Sequence, residues 1–282
     1  MKSATLGLTE LTKREFEEIS SLVYDLCGIN LHVGKRELVK ARLNKRLREL
    51  EMESFAEYIS FLKNDRSGQE IIDMLDAVST NLTSFFREAQ HFDYMAKEIL
   101  PRLVKERGRD PGRKLRLWSA GCSSGEEPYS IAMVLDKEID NLGRWDAAIL
   151  ATDINTRVLE TARRGEYPEA RFDKMPAQTR QKYFECINNS RPREYRAKPT
   201  IRDLVTFARL NLLEKWPMKG GFDIIFCRNT MIYFDKQTQS KIVGRYWEML
   251  GDGGVLFIGH SESLTGVKHK FKYVQPTIYY KV

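Results

Sequence analysis

The sequence predicts an α/β protein with an all-helical unit in front of it, and three observations carry that expectation. A glycine-rich stretch, Trp118-Ser119-Ala120-Gly121-Cys122-Ser123-Ser124-Gly125-Glu126-Glu127-Pro128-Tyr129-Ser130, follows an apolar β-type run at 115–118 and leads into a helical pattern over 129–139. That is the turn between the first strand and first helix of a nucleotide-type site. Beyond it strand and helix patterns alternate, as a parallel sheet requires. Before it, residues 9–100 read as helical.

Thr12 can cap the first helix, with Glu15 at capping-box spacing. In the next, Val39, Leu43, Leu47 and Leu50 share one face, while Lys40, Arg42, Lys45 and Arg48 lie off it. Phe55, Ile59 and Leu62, then Ile71, Met74, Leu75 and Val78, complete a small helical module with nothing catalytic about it. The connector at 107–113 precedes strands expected near 114–119, 148–153, 205–209, 223–227, 254–259 and 277–282. Residues 163–202 are too long and polar for a simple crossover. Their prolines and Asn188-Asn189-Ser190 suggest an inserted small sheet.

Composition narrows the classes. The chain has 282 residues, 42% hydrophobic and 30% charged, typical of a soluble globular protein. It has no apolar run near the ~20 residues of a membrane span, and its first twelve residues lack a secretory pattern. Four scattered cysteines without metal-ligand spacing indicate reduced thiols in a cytoplasm and no metal. The net charge of +7 is concentrated in two places. Residues 35–48 hold seven Lys or Arg against Glu37 alone, and residues 163–202 hold eleven against five acids. Two such surfaces point to an acidic macromolecular partner.

The glycine-rich stretch itself limits the ligand. Glu126 and Glu127 stand where a phosphate loop would place amide donors or a lysine. They would repel a phosphate and welcome a cationic or hydroxyl-rich ligand. This points away from ATP and NAD and towards S-adenosylmethionine, which carries an amine, a sulfonium and a ribose diol but no phosphate.

Five separated motifs, taken in order, resemble one family. They are Thr80-Asn81-Leu82-Thr83-Ser84-Phe85-Phe86-Arg87-Glu88, the 121–130 stretch, Ala151-Thr152-Asp153-Ile154-Asn155, Phe226-Cys227-Arg228-Asn229-Thr230-Met231-Ile232-Tyr233-Phe234, and Gly259-His260-Ser261-Glu262. Over nearly the whole chain the sequence resembles the CheR-type chemotaxis receptor glutamate methyltransferases. The resemblance implies a Rossmann-like class I S-adenosylmethionine-dependent methyltransferase domain, an all-helical N-terminal domain and a small inserted β-subdomain. The expected partition is a helical receptor-recognition unit over 1–90, a linker helix and loop over 91–113, and the methyltransferase domain over 114–282. The β-subdomain is expected at about 165–203.

The resemblance also assigns residues. Asp153, at a strand end, would accept the ribose hydroxyls. The first-loop acid and middle glycine of ordinary methyltransferases are replaced by Ser119 and Ser123, which the family shares. Gly121 belongs to that loop, Glu126 would meet the methionyl ammonium, and Glu127 would be a favourable first-turn carboxylate. Asn211 and Leu212 would contact adenine. Arg228, Asn229, Asn81, Thr83 and Arg87 would complete the cofactor site. The product is S-adenosylhomocysteine, and no metal is expected. The implied reaction is methyl transfer to a receptor glutamate, whose carboxylate is already ionised at neutral pH and needs no general base. Arg87 and Tyr233 are the expected catalytic pair; whether Arg87 faces substrate or cofactor stays open. His260 is read as a structural histidine.

The basic helix, through Lys40, Arg42, Lys45, Arg46 and Arg48, is expected to meet the acidic methylation helices of a chemoreceptor's cytoplasmic domain. Some family members grip a receptor C-terminal peptide through a glycine-containing loop of the β-subdomain. Here the loop at 186–193 has no glycine, which weighs against tethering. The expected state is a cytoplasmic monomer recruited to membrane-bound receptor arrays, without membrane insertion or nucleic acid. Two other classes compete: a nucleic-acid methyltransferase, since basic patches bind phosphate backbones, and a non-catalytic cofactor-binding scaffold. Against the first, Arg228-Asn229-Thr230-Met231 stands where an amino-methyltransferase carries an Asn-Pro-Pro-Tyr-type loop for a flipped base. Against the second stand Glu126, Asp153, Arg87 and Tyr233.

Overall fold

Capping chemistry and apolar stripes set up the first four helices. The computed structural model describes residues 9–107 and 112–282; of the connector expected at 107–113, residues 108–111 lie outside the described residues. The helices are α1 (Lys13–Cys27), α2 (Arg36–Glu49), α3 (Phe55–Asn64) and α4 (Gln69–Val78). At the start of α1 the Thr12 hydroxyl accepts from the Glu15 amide, and the Glu15 carboxylate accepts from the Thr12 amide at 2.9 Å. Val39, Leu43 and Leu47 of α2 join Phe16, Ile19 and Tyr58 in a separate core. Each fully buried aliphatic side chain there contributes roughly 1.5–3 kcal/mol.

The buried face of α2 is wider than its leucine stripe suggests, and this corrects one expectation. Arg46 is not an outward receptor contact. Its guanidinium is buried against α4, bonded to both oxygens of Glu70 at 3.0 and 2.5 Å and lying 3.6 Å from Asp73. α2 and α4 pack together, so this arginine's charge is consumed inside the unit.

A continuous helical stretch follows: α5 (Ala89–Tyr94), a π-helical turn (Met95–Ile99) and α6 (Leu100–Arg107). Phe85, Phe92, Met95 and Ile99 pack into the core of the second unit. The packing boundary therefore falls near residue 79, earlier than the expected 90.

The second unit then runs β1 (Lys114–Ala120), α7 (Glu126–Glu138), β2 (Asp146–Asp153) and α8 (Thr156–Arg164). The insertion contains β3 (Glu166–Pro168), α9 (Ala177–Tyr183), β4 (Phe184–Asn188), β5 (Glu194–Ala197) and α10 (Pro199–Arg202). β3, β5 and β4 form a three-stranded antiparallel sheet. β6 (Val205–Arg209), β7 (Phe222–Cys227), α11 (Lys236–Met249), β8 (Leu250–Ile258), β9 (Lys272–Gln275) and β10 (Ile278–Tyr280) complete the chain.

The main sheet has the order β6-β2-β1-β7-β8-β10-β9. Its first five strands are parallel; β10 then runs antiparallel to β8, and β9 antiparallel to β10. Alternate residues feed opposite faces: Ile224 and Phe226 of β7 join one core, Ile225 and Cys227 the other. The strand order reverses between β1 and β7, so the crevice outside their carboxyl ends is the place for a ligand.

The two units are clamped together. Asp76 of α4 accepts from the Thr156 amide at 2.8 Å and from its hydroxyl at 2.6 Å. The Asn155 side chain donates to the Asp76 carbonyl at 2.9 Å and to the Ser79 hydroxyl at 2.7 Å. The Tyr24 hydroxyl donates to Asp235 at 2.5 Å, and the Asn30 amide to the Tyr233 carbonyl at 2.8 Å. Among the described residues no helix is long and apolar enough to cross a membrane.

Candidate active site

Between the clamped units, at the carboxyl ends of β1, β2, β6 and β7, lies a cavity lined by residues from both. Its floor begins at Gly121, whose φ of +87° is matched by a steric demand. A Cβ there would stand 2.2 Å from the Thr230 hydroxyl, so a side chain would collide. Ser123 takes the position of the missing glycine, and it adopts the left-handed conformation a glycine would have, φ +50°. Its amide donates to Asp153 at 2.8 Å and its hydroxyl to the Asn81 carbonyl at 2.9 Å. The serine thus ties the segment after α4 to the loop, which glycine could not do.

The two glutamates have opposite placements from those expected. Glu127 lines the cavity; Glu126 does not. Glu127 accepts from the Ser119 hydroxyl at 2.7 Å and from Arg228 Nε at 2.8 Å. Its carboxylate therefore sits beside the strand position where ordinary methyltransferases carry their own acid. Glu126 turns into the protein, where it accepts from the Ser124 hydroxyl at 2.6 Å. Arg171 of the insertion lies 3.3 Å from its other oxygen, which has no hydrogen-bond partner. Burial pushes the Glu126 carboxyl up despite that arginine. The expectation that Glu126 meets the ligand is corrected: Ser124 and Arg171 hold its carboxylate away from the cavity.

Asp153 lies in the cavity wall, accepting from the amides of Ser123 and Asn155 at 2.8 and 3.0 Å. Burial pushes its carboxyl above the ordinary aspartate range. Asn211 and Leu212 follow β6 and also line the cavity. The Asn211 amide donates to the Leu26 carbonyl at 2.7 Å and its oxygen accepts from the Leu213 amide at 3.0 Å. Its side chain is thus occupied in joining the units, and what it offers a ligand is backbone. Cys27, Ile29 and Leu31 close this end from the helical unit. Burial pushes the Cys27 thiol up to about 11, so it is no nucleophile at neutral pH.

The opposite wall is the segment from Ser79 to Thr83 with Arg87. Arg87 donates to the Leu82 carbonyl at 2.6 Å and to the Asn229 side-chain oxygen at 2.8 Å. Asn229 sits at φ +56°, held by its amide's bond to Glu262 at 2.9 Å. Glu262 also accepts from the amides of Gly259 and Ile232. Gly259 must lack a side chain, because a Cβ there would stand 2.7 Å from the Asn229 nitrogen. Tyr233 points its hydroxyl to the Thr80 carbonyl at 3.4 Å, and burial raises its pKa, so it stays a donor. Arg228 is buried and bonds Glu127, the Arg87 carbonyl at 2.6 Å and His91 at 2.9 Å. The fold therefore brings Asn81, Thr83, Arg87, Gly121, Asp153, Asn211, Leu212, Arg228, Asn229 and Tyr233 to one cavity.

Several cavity residues were not singled out from sequence. Besides Glu127 and Ser123, Lys35 reaches the wall with its ammonium 4.9 Å from the centre of the Tyr233 ring. Among the described residues it has no carboxylate partner, and burial, then Arg42, lowers its pKa. Its place at the head of the basic run was a signal too general to separate it from the rest. Of the expected receptor contacts, Lys45 and Arg48 are exposed. Lys40 pairs with Glu10 at 2.6 Å. Arg42 donates to the carbonyls of Val78 and Ser79 at 2.8 and 2.7 Å, propping up the cavity wall.

Glu88, His91 and His260 bring ligand atoms within 4.8 Å of one another. The set does not suit a metal ion, because the Arg228 guanidinium is bonded to His91 and lies 3.7 Å from Glu88. A cation already stands there.

Comparisons with known proteins divide the chain where its packing does. The family model described as the CheR methyltransferase all-alpha domain matches residues 14–79, and that described as the CheR methyltransferase SAM binding domain matches residues 81–280. The chain is 40% identical to the chemotaxis protein methyltransferase of Borreliella burgdorferi, over 96% of this chain and 95% of that protein. It is 39% identical to the one from Escherichia coli, over 98% and 95%. Among solved structures it is similar to PKMT2 from Rickettsia typhi in complex with AdoHcy, at 15% identity and TM-score 0.36 over 64% of this chain and 26% of that one. Likeness at that level adds nothing to the assignment. With both family models matched in order across the two clamped units, the chain belongs to the CheR methyltransferase family.

Proposed function

We propose that this protein transfers a methyl group from S-adenosylmethionine to glutamate side chains of chemoreceptor cytoplasmic domains, forming glutamate methyl esters. The observation that carries the reading is the pair of carboxylates in the cavity, Asp153 and Glu127, facing a ligand space with no phosphate-type lysine loop. Those groups fit the cofactor. Asp153 suits the ribose diol and Glu127 the methionyl ammonium, while Leu212 and Ile29 give adenine an apolar bed. A cofactor held there would supply a sulfonium methyl to a carboxylate oxygen, with the thioether as leaving group and no proton transfer required.

The protein's own part is placement. Arg87, Tyr233 and Lys35 gather at the Ser79–Thr83 wall and can replace the water stripped from an incoming carboxylate. No general base is needed at this wall, because glutamate is ionised at neutral pH. Orientation of this kind can supply on the order of 7–11 kcal/mol of the barrier. Exposed Lys45 and Arg48 supply an outward basic face for an acidic receptor helix. Such a protein would work in the cytoplasm, at receptor arrays.

Peptide mapping by mass spectrometry tests the reading. Receptor fragments incubated with the protein and S-adenosylmethionine should carry the added methyl on glutamate side chains. A methyl found on a backbone or amine nitrogen, or on nucleic acid alone, would overturn it.

A further inference from the structure

We propose that His91, fixed by Thr277, is a positioning residue that aims Arg228 at Glu127 and so sets the cofactor's amine site. The inference rests on the methyltransferase reading but adds two residues outside the cavity, His91 and Thr277. His91 is only 2% exposed, and neither it nor Thr277 lines the cavity.

The hydrogen-bond order fixes the tautomer. The Thr277 hydroxyl donates to the Pro276 carbonyl at 2.5 Å, so its hydrogen is spent. Toward His91 Nε2, at 2.6 Å, it can only accept. Nε2 therefore carries the ring proton, and Nδ1 presents a lone pair to Arg228 Nη1 at 2.9 Å. Burial and then the Arg228 charge push the His91 pKa down to about 3, against the opposing pull of Glu88, whose oxygen is 3.5 Å from Nδ1. The His260 ring stands edge-on at 5.0 Å between centroids. His91 is a neutral, single-tautomer acceptor.

Arg228 needs that acceptor because two carboxylates compete for it. Glu127 takes its Nε at 2.8 Å. Glu88 lies on the other side at 3.7 Å, and its nearer oxygen is buried without a hydrogen-bond partner. Remove the His91 lone pair and the guanidinium gains by turning to Glu88, leaving Glu127 free to move from the Ser119 hydroxyl. Thr277 adds a sign of constraint. A β-branched residue at φ +68° is strained, and such strain persists where the surroundings over-determine it.

Calorimetric titration of the full chain with S-adenosylmethionine, alongside thermal melting and turnover, tests this. H91L removes the lone pair; T277V keeps the threonine shape but removes the acceptor; H91N keeps an oxygen where Nδ1 sits. H91L and T277V should weaken cofactor binding about tenfold, and H91N should recover most of the loss. The double variant E88Q/H91L should lose less than the two single effects combined, because the competing charge is gone. H91L binding as tightly as the unaltered protein would overturn the inference. So would H91N failing in parallel with H91L while both lose melting temperature alike, since that marks a packing role. Unaltered protein that binds no S-adenosylmethionine would instead overturn the functional reading beneath it.

Discussion

Glu126 and Glu127 are adjacent, identical and in the first turn of α7, yet only Glu127 faces the cavity. The choice is made by partners distant in sequence: Ser119 on β1 and Arg228 after β7 take Glu127, while Ser124 and Arg171 take Glu126. Sequence spacing holds no record of those meetings, so the two glutamates look alike in the sequence. E127Q should weaken S-adenosylmethionine binding by roughly 10–100-fold by calorimetry, the worth of a charged hydrogen bond or two, and E126Q by far less. His91 gives a second prediction at this scale. Its folded pKa of about 3 lies below the ~6.5 of an unfolded histidine, so in that window the unfolded chain binds the extra proton. The stability linked to His91 is therefore complete above the unfolded value and lost as pH falls towards 3, by up to about 1.4 kcal/mol per pH unit. Urea unfolding at pH 7.5 and pH 5 should show a smaller acid loss for H91N than for the unaltered protein.

At the scale of elements, the helix stripes, the capping box at Thr12 and the central parallel strands were legible, because each is a local pattern that packing then reinforces. β9 was not, being a short edge strand with exposed Tyr273 and Val274 and no alternating apolar face. α2 shows why charge alone misleads. Its basic residues were expected to act as one receptor surface, but α4 and the Val78–Ser79 carbonyls claim Arg46 and Arg42. Of the five, Lys45 and Arg48 stay exposed. K45E/R48E should reduce receptor methylation several-fold while leaving cofactor affinity unchanged, since neither residue touches the cavity. R42E should instead weaken cofactor binding as well, because it removes the prop under the cavity wall. Parallel calorimetry and methylation assays separate the two patterns.

For the whole molecule, the two-unit plan followed from the alternation of patterns and the family motifs, whereas the strand order that opens a crevice between β1 and β7 is seen only in the fold. What could not be read was how tightly the units are joined, through Asp76, Asn155, Tyr24 and Asn211, around a cavity lined by both. A ligand held by both walls should stabilise them together, raising the unfolding free energy by about 2.7 kcal/mol at a hundred times its dissociation constant. A single, sharper thermal transition with S-adenosylmethionine would show this; a shift confined to one of two transitions would contradict it. Methyl transfer to a carboxylate leaves an ester, and mild alkali cleaves esters. Receptor fragments labelled from methyl-tritiated S-adenosylmethionine should release their label as volatile methanol, because esters hydrolyse under those conditions. Label that stays bound through alkali treatment would contradict the account.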